Sequence, residues 1–134
     1  EEDDHFRLTF DKPGSWSQKY NLVWDKLLGF NLFPDSVMEK EIAFYLTKQN
    51  RYGLPLDIRS AYTKTDWILW TASMAKDRED FDALVNPVWD FYNETTDRVP
   101  MSDWIWSDKP EHIQFKARSV VGGLFIELLE NKSK

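Results

Sequence analysis

The sequence predicts an all-α fold of about five helices folded back on one another as hairpins. Three observations carry that reading. Apolar residues recur at helical spacing in five segments. Most of these segments carry helix-start or helix-stop residues at their ends. Short turns after the first and third segments bring consecutive helices back antiparallel. All 134 residues are read as a single domain.

Residues 5–10 alternate polar and apolar, which predicts a short extended segment, and Lys12-Pro13-Gly14-Ser15 predicts a turn. From Trp16 the period changes. Tyr20, Val23, Trp24, Leu27 and Leu28 share a helical stripe, and Gly29 is placed to end it. The second helix starts at Pro34-Asp35-Ser36, where Ser36 and Glu39 have capping-box spacing. Its stripe is Met38, Ile42, Tyr45, Leu46 and Gln49, and it stops between Asn50 and Pro55.

Thr63 and Asp66 repeat the capping-box spacing before the apolar run Trp67–Ala75. That run is apolar nearly all round, which predicts burial on most sides. A buried strand competes, but the capping spacing and the length favour a helix. Asp77 caps the fourth helix, whose stripe is Phe81, Leu84, Val85, Val88, Trp89 and Tyr92. Pro87 inside it predicts a kink or a restart. A loop covers Thr95 to about Glu111. The fifth helix, about Phe115–Leu129, is predicted to be buried, with Gly122-Gly123 at a close helix approach.

Composition narrows the function. The formal net charge of -6 argues against nucleic acid or an anionic membrane as the main partner. No apolar run approaches the roughly 20 residues of a membrane span. The sequence has no cysteine, which excludes disulfides, thiol nucleophiles and thiolate metal sites. His5 and His112 are its only histidines and have no ligand spacing, so neither metal nor other cofactor is expected. Asp35 with Glu39, and Asp77 with Glu79, read as solvated helix-start charges.

Several runs are long and unusual in composition: Phe10–Leu28, Tyr45–Asp57, Tyr62–Trp67, Asn93–Trp104 and Ala117–Gly123. In these runs the chain resembles the glutaminase A-like family over about His5 to Leu129. The resemblance implies a longer, exported parent (secreted or periplasmic), with β-rich domains ahead of an (α/α)6 toroid of six helical hairpins. It implies hydrolysis of glutamine to glutamate and ammonia. Five helices would then be the last two and a half hairpins, a C-terminal fragment that is inactive alone and partnered by the rest of the parent. The resemblance carries no catalytic role onto any single residue.

The candidate site residues lie in or beside the two long connections, 50–64 and 95–114, whose ends are expected to meet at one rim. Asp57, Asp66 and Asp103 are the candidate catalytic carboxylates, since hydrolysis by paired acid and base needs two of them around the scissile bond. Each has a bland alternative: Asp66 as a helix cap, Asp57 as the partner of Arg59. Arg59, Arg98 and Arg118 are expected at the same end, with Lys19 and Lys64 near it. Of these, Arg59 and Arg118 are the candidate binders of a substrate carboxylate, against the alternative of local Asp–Arg pairs such as Asp97 with Arg98. Trp67 and Trp104 are candidate substrate platforms. With Trp16 and Trp106, they are equally candidate core pillars. Ser73-Met-Ala-Lys76 has Ser-x-x-Lys spacing but sits at the wrong end of its helix. Asn93-Glu-Thr95 and Asn131-Lys-Ser133 match the glycosylation sequon.

Three functions compete. The first is one wall of a glutamine-amide hydrolase site. The second is a six-hairpin glycoside hydrolase-like domain acting on a sugar, from scaffold analogy. The third is a structural or interaction module. Five helices cannot close a twelve-helix ring, so exposed apolar faces and a homodimer are expected of the chain alone.

Overall fold

The computed structural model describes residues 1–132. Five α-helices and one two-stranded sheet make up the regular structure of these residues. A 3-10 turn, Tyr20–Leu22, leads into α1 (Val23–Leu28), which Gly29 ends in the left-handed conformation at φ 64°. Then come α2 (Asp35–Leu46), β1 (Tyr62–Lys64), α3 (Thr65–Ala72), α4 (Arg78–Glu94) and β2 (Trp104–Trp106). A second 3-10 helix, Ser119–Phe125, runs into α5 (Ile126–Lys132). None of these helices is long and apolar enough to cross a membrane.

The predicted helices stand, with corrections at their ends. Residues 5–10 form no strand. His5 anchors the segment, buried with its ring stacked on Phe44 at 4.2 Å, while Leu8 and Phe10 are exposed. The first helix starts several residues after Trp16, which is itself a core pillar edge-on to Phe44. Neither expected capping box forms. Ser36 lies within α2 and its neighbour Glu39 reaches Lys76 instead. Thr63 belongs to β1, and Lys64 occupies the N-cap of α3 with extended backbone. The cap at Asp77 is real: its Oδ1 accepts from the Asp80 amide at 3.0 Å.

Pro87 neither breaks nor restarts α4. The missing amide leaves the Ala83 carbonyl without its helical donor. The Gln49 side-chain amide supplies one at 2.9 Å, from the segment after α2. Trp89 leaves the expected stripe. It is 68% exposed, and Phe91 takes its place in the interior.

Two larger departures bear on the site. Within the expected loop, β2 pairs antiparallel with β1 in the register Tyr62–Trp106, Thr63–Ile105, Lys64–Trp104. The fifth helix begins later than expected, and its glycine-bearing first part is 3-10 rather than α. This end is less buried than expected: Ile126 is interior, while Phe115, Val120, Phe125, Leu128 and Leu129 are exposed.

Val23, Ile42, Tyr45, Leu54, Ile68, Leu84 and Val88 form the main core, where each buried aliphatic side chain is worth roughly 1.5–3 kcal/mol. Tyr52, Phe91 and Ile105 make a satellite under the sheet. Tyr92 packs against both. Buried Gln18 ties the layers together. Its amide nitrogen donates to the Leu54 and Pro55 carbonyls and to Thr63 Oγ1, and its oxygen accepts from Thr71 Oγ1.

Candidate functional site

The sheet brings two sequence-distant carboxylates to one place. β1 runs directly into α3, so Asp66 falls in the first turn of that helix. Asp103 immediately precedes β2, and the Thr65 amide donates to its carbonyl at 2.8 Å. Lys64 pairs with Trp104 across the ladder, and its Nζ reaches both the Asp103 carboxylate at 3.0 Å and the Trp104 ring face at 4.8 Å. Arg118, just before the 3-10 helix, closes the group. Its Nε donates to Asp103 Oδ1 at 3.0 Å and its Nη2 donates to Oδ2.

The two carboxylates have opposite electrostatic fates. Asp103 is 1% exposed, and burial alone would raise its proton affinity. Its hydrogen bonds and charge pairing with Arg118 and Lys64 outweigh that and hold it below the usual carboxylate range. Asp66 is 3% exposed, and its Oδ1 has no hydrogen-bond partner within the described structure. Burial, with the Asp103 charge adding to it, pushes Asp66 up to about 6. The chain therefore holds one carboxylate whose proton affinity is lowered beside one raised to about 6.

Aromatic groups and a glycine close the surroundings. Tyr92 donates from its hydroxyl to the Ser102 carbonyl at 2.7 Å and contacts Thr65 Oγ1 at 3.0 Å. Burial pushes it up to about 12, so it keeps its proton. Trp67 stacks on Tyr20 with ring centroids 4.1 Å apart and planes 6° from parallel. Gly123 lies against Asp66 and Trp70 so closely that a Cβ there would fall 2.9 Å from Asp66 Cβ and from Trp70 Nε1. The expected close approach at the glycine pair is thus made by Gly123 alone.

Of the residues singled out from sequence, Asp66, Asp103, Arg118 and Lys64 come together, with Trp67 and Trp104 flanking them. Trp104 is stacked on Phe115 at 5.8 Å and meets Tyr62 edge-on. Asp57 and Arg59 stay apart as a local pair: Arg59 Nε donates to Asp57 Oδ1 at 2.9 Å and its Nη2 to Oδ2 at 2.6 Å. Among the described residues no hydrogen bond or ion pair joins them to Asp66 or Asp103. Lys19 belongs elsewhere, on fully buried Glu41, which also accepts from Tyr45 and the Phe6 amide. Arg98 does not pair with Asp97. It donates to the Tyr92 and Asn93 carbonyls at the end of α4, while Asp97 is held by His112 and Lys116.

Ser73 and Lys76 form no nucleophile pair, since Ser73 Oγ donates to the Leu69 carbonyl and Lys76 turns to Glu39. Among the described residues no three His, Asp or Glu side chains gather as metal ligands. Asn93 is exposed at the end of α4, and Ser133 of the second sequon lies outside the described residues. Sequence reasoning missed Tyr92 and Thr65 as parts of the site. Tyr92 reads as one more position on an amphipathic stripe, and nothing local points its hydroxyl at β2.

The model of the glutaminase A six helical-hairpin domain matches residues 1–128. Glutaminase A of Aspergillus oryzae (strain ATCC 42149 / RIB 40) is 38% identical over 128 residues, covering 93% of this chain and 18% of that protein. A protein of Arthroderma benhamiae (strain ATCC MYA-4681 / CBS 112371) named "Probable glutaminase" is 29% identical over 159 residues, covering 96% of this chain and 18% of its own length. The chain thus spans about a fifth of the length of the curated relatives it matches. No solved structure matches significantly.

Proposed function

The chain belongs to the glutaminase A six helical-hairpin domain family, and on that premise we propose that it is a domain of a longer, exported amide hydrolase that releases glutamate and ammonia from glutamine. The reading places its five helices in an (α/α)6 toroid completed by the rest of the parent. One observation carries the assignment of the site: Asp66, buried and pushed up to about 6, faces a like charge that Arg118 and Lys64 keep ionised. A proton-transfer group works best with a proton affinity near the working pH. Asp66 is then the base that takes a proton from the attacking water and returns it to the departing amine nitrogen. Asp103 supplies the fixed negative charge that keeps Asp66 weakly acidic. Arg118 orients Asp103: its Nε and Nη2 are already engaged, so it is not the free fork that a substrate carboxylate would need. Because Asp66 is sealed under Gly123 and Trp70, substrate reaches it only when the 119–125 segment shifts.

A second reading is favoured by the same burial. Asp103 at 1% exposure, doubly paired, also fits an internal charge cluster that joins β1, β2 and the C-terminal segment, with catalysis supplied elsewhere in the parent. Ammonia release from glutamine by the full-length parent separates the two. Under the first reading, Asp66→Asn lowers kcat by at least about 100-fold with the fold intact by circular dichroism. Unchanged turnover in that variant leaves the second.

A further inference from the structure

We infer that Tyr92 is a positioning residue for the carboxylate pair: its hydroxyl ties the start of α3 to the segment before β2 and so sets how far Asp66 stands from Asp103. The inference rests on the proposed role of Asp66. Tyr92 comes from α4, an element that carries neither carboxylate. A carbonyl cannot donate, so the phenol proton goes to the Ser102 oxygen at 2.7 Å. The phenol oxygen is then left to accept from Thr65 Oγ1 at 3.0 Å. Ser102 precedes Asp103 and Thr65 precedes Asp66, so one hydroxyl bridges the residues next to both carboxylates. The ring is fixed from two sides, since it packs on the main core and on the satellite around Phe91, whose ring it meets edge-on at 5.3 Å. A proton affinity raised to about 12 keeps the hydroxyl a donor at every working pH.

The charged and titratable groups around Asp66 are Asp103 from the β2 side, Lys64 from β1, Arg118 from the C-terminal segment, Tyr20 from the first 3-10 turn and Tyr92 itself. Of the uncharged groups among these, Tyr92 bonds to the neighbours of both carboxylates, so its hydroxyl can be removed without removing a charge. The Thr65 amide bond to the Asp103 carbonyl and the β1–β2 ladder still join the two segments, so loss of the bridge loosens the spacing rather than opening it, and lets water reach Asp66. Both changes favour ionised Asp66, so its titration midpoint moves down.

The test follows the Asp66 carboxyl carbon by NMR titration in the 134-residue chain, comparing wild type, Tyr92→Phe and Thr65→Val. Both variants keep the shape of the side chain they replace. The expected result is a midpoint lowered by about half a unit or more in both. In the full-length parent, Tyr92→Phe should lower kcat several-fold, shift the acidic limb of the pH–rate profile by a similar amount and leave KM nearly unchanged. Identical Asp66 midpoints in all three proteins overturn the inference even if Asp66→Asn abolishes turnover. Lowered midpoints alongside full activity of Asp66→Asn uphold the positioning and reject only the catalytic role.

Discussion

Gly123 presses its Cα against Asp66, leaving no room for a methyl group: a Cβ there would lie 2.9 Å from Asp66 Cβ, and equally close to Trp70 Nε1. Gly122, one residue earlier, has nothing within 4 Å of where its Cβ would lie. Gly123→Ala should therefore destabilise the chain by about 1–3 kcal/mol as the 119–125 segment is pushed off α3. Gly122→Ala should be neutral or slightly stabilising, because it only restricts the unfolded chain. Urea unfolding of the two variants checks this, and equal midpoints would mean that the packing at Gly123 is not tight.

The raised proton affinity of Asp66 makes a signed prediction about pH. Asp66 titrates near 6 when folded, against an ordinary value of 3.8. Between those values the folded state keeps a proton that the unfolded chain has released. Its contribution therefore weakens stability as pH rises from about 4 to about 6, and the loss is complete above 6. The cost is about 2–3 kcal/mol at neutral pH. Asp66→Asn removes the dependence. The stability of the variant relative to wild type should grow across that window and stay level above it. A difference that does not vary with pH would place Asp66 at its ordinary proton affinity.

How much of this was legible in the sequence depends on how local the signal is. The ends at Gly29 and Asp77 could be read because a left-handed stop and an Asp cap act within one turn of chain. Capping spacing at Thr63 and Asp66 misled because β2 claims Thr63 for a ladder, and a three-residue strand inside a polar connection has no periodicity to detect. The meeting of Asp66, Asp103 and Arg118 was anticipated from loop ends converging. Asp57 and Arg59, expected at the same rim, pair with each other, because an Arg two residues from an Asp satisfies it locally before any distant partner can. Tyr92 stayed invisible because only the tertiary fold aims its hydroxyl.

The two arginines predicted as carboxylate binders should differ sharply on mutation. Arg118→Ala leaves Asp103, almost fully buried, with Lys64 as its remaining ion-pair partner, which should cost about 2–4 kcal/mol. The Arg59 side chain is 66% exposed, and it is what covers Asp57, which keeps the bond from the Arg59 amide when the side chain is cut away and water takes its place, so Arg59→Ala should cost far less than Arg118→Ala. Thermal melts of both variants are the measurement. A large loss in Arg59→Ala would make the Asp57 pair part of the folding core instead.

Gln49 and Pro87 should be thermodynamically coupled through the Ala83 carbonyl. The Gln49 amide fills the Ala83 carbonyl that Pro87 leaves without an amide donor. Gln49→Ala should cost about 0.5–1 kcal/mol in the natural background. In Pro87→Ala, where the helical amide is restored, the same change should cost nearly nothing. A double-mutant cycle by denaturant unfolding gives the coupling directly. Additive effects would show that the side-chain bond does not compensate for the proline.

The isolated chain should self-associate. Leu28 at the end of α1 and Phe30, Leu32 and Phe33 just after it are all exposed, and Phe125, Leu128 and Leu129 are exposed near the C-terminal end of the described residues. Side chains of this size so close together in sequence are uncommon on a surface that stays in water. The relatives are about five times longer than the region they share with this chain, so they have ample polypeptide to cover such faces. Without that cover, a second copy is the nearest apolar surface available. Light scattering should give a mass above that of a monomer, rising with concentration. Leu32→Ser with Phe33→Ser, both exposed and outside the core, should return it toward the monomer with little change in melting temperature. A wild-type chain that stays monomeric at its solubility limit would mean that these side chains cover one another or tolerate water, and that the rest of a longer parent is not needed to shield them.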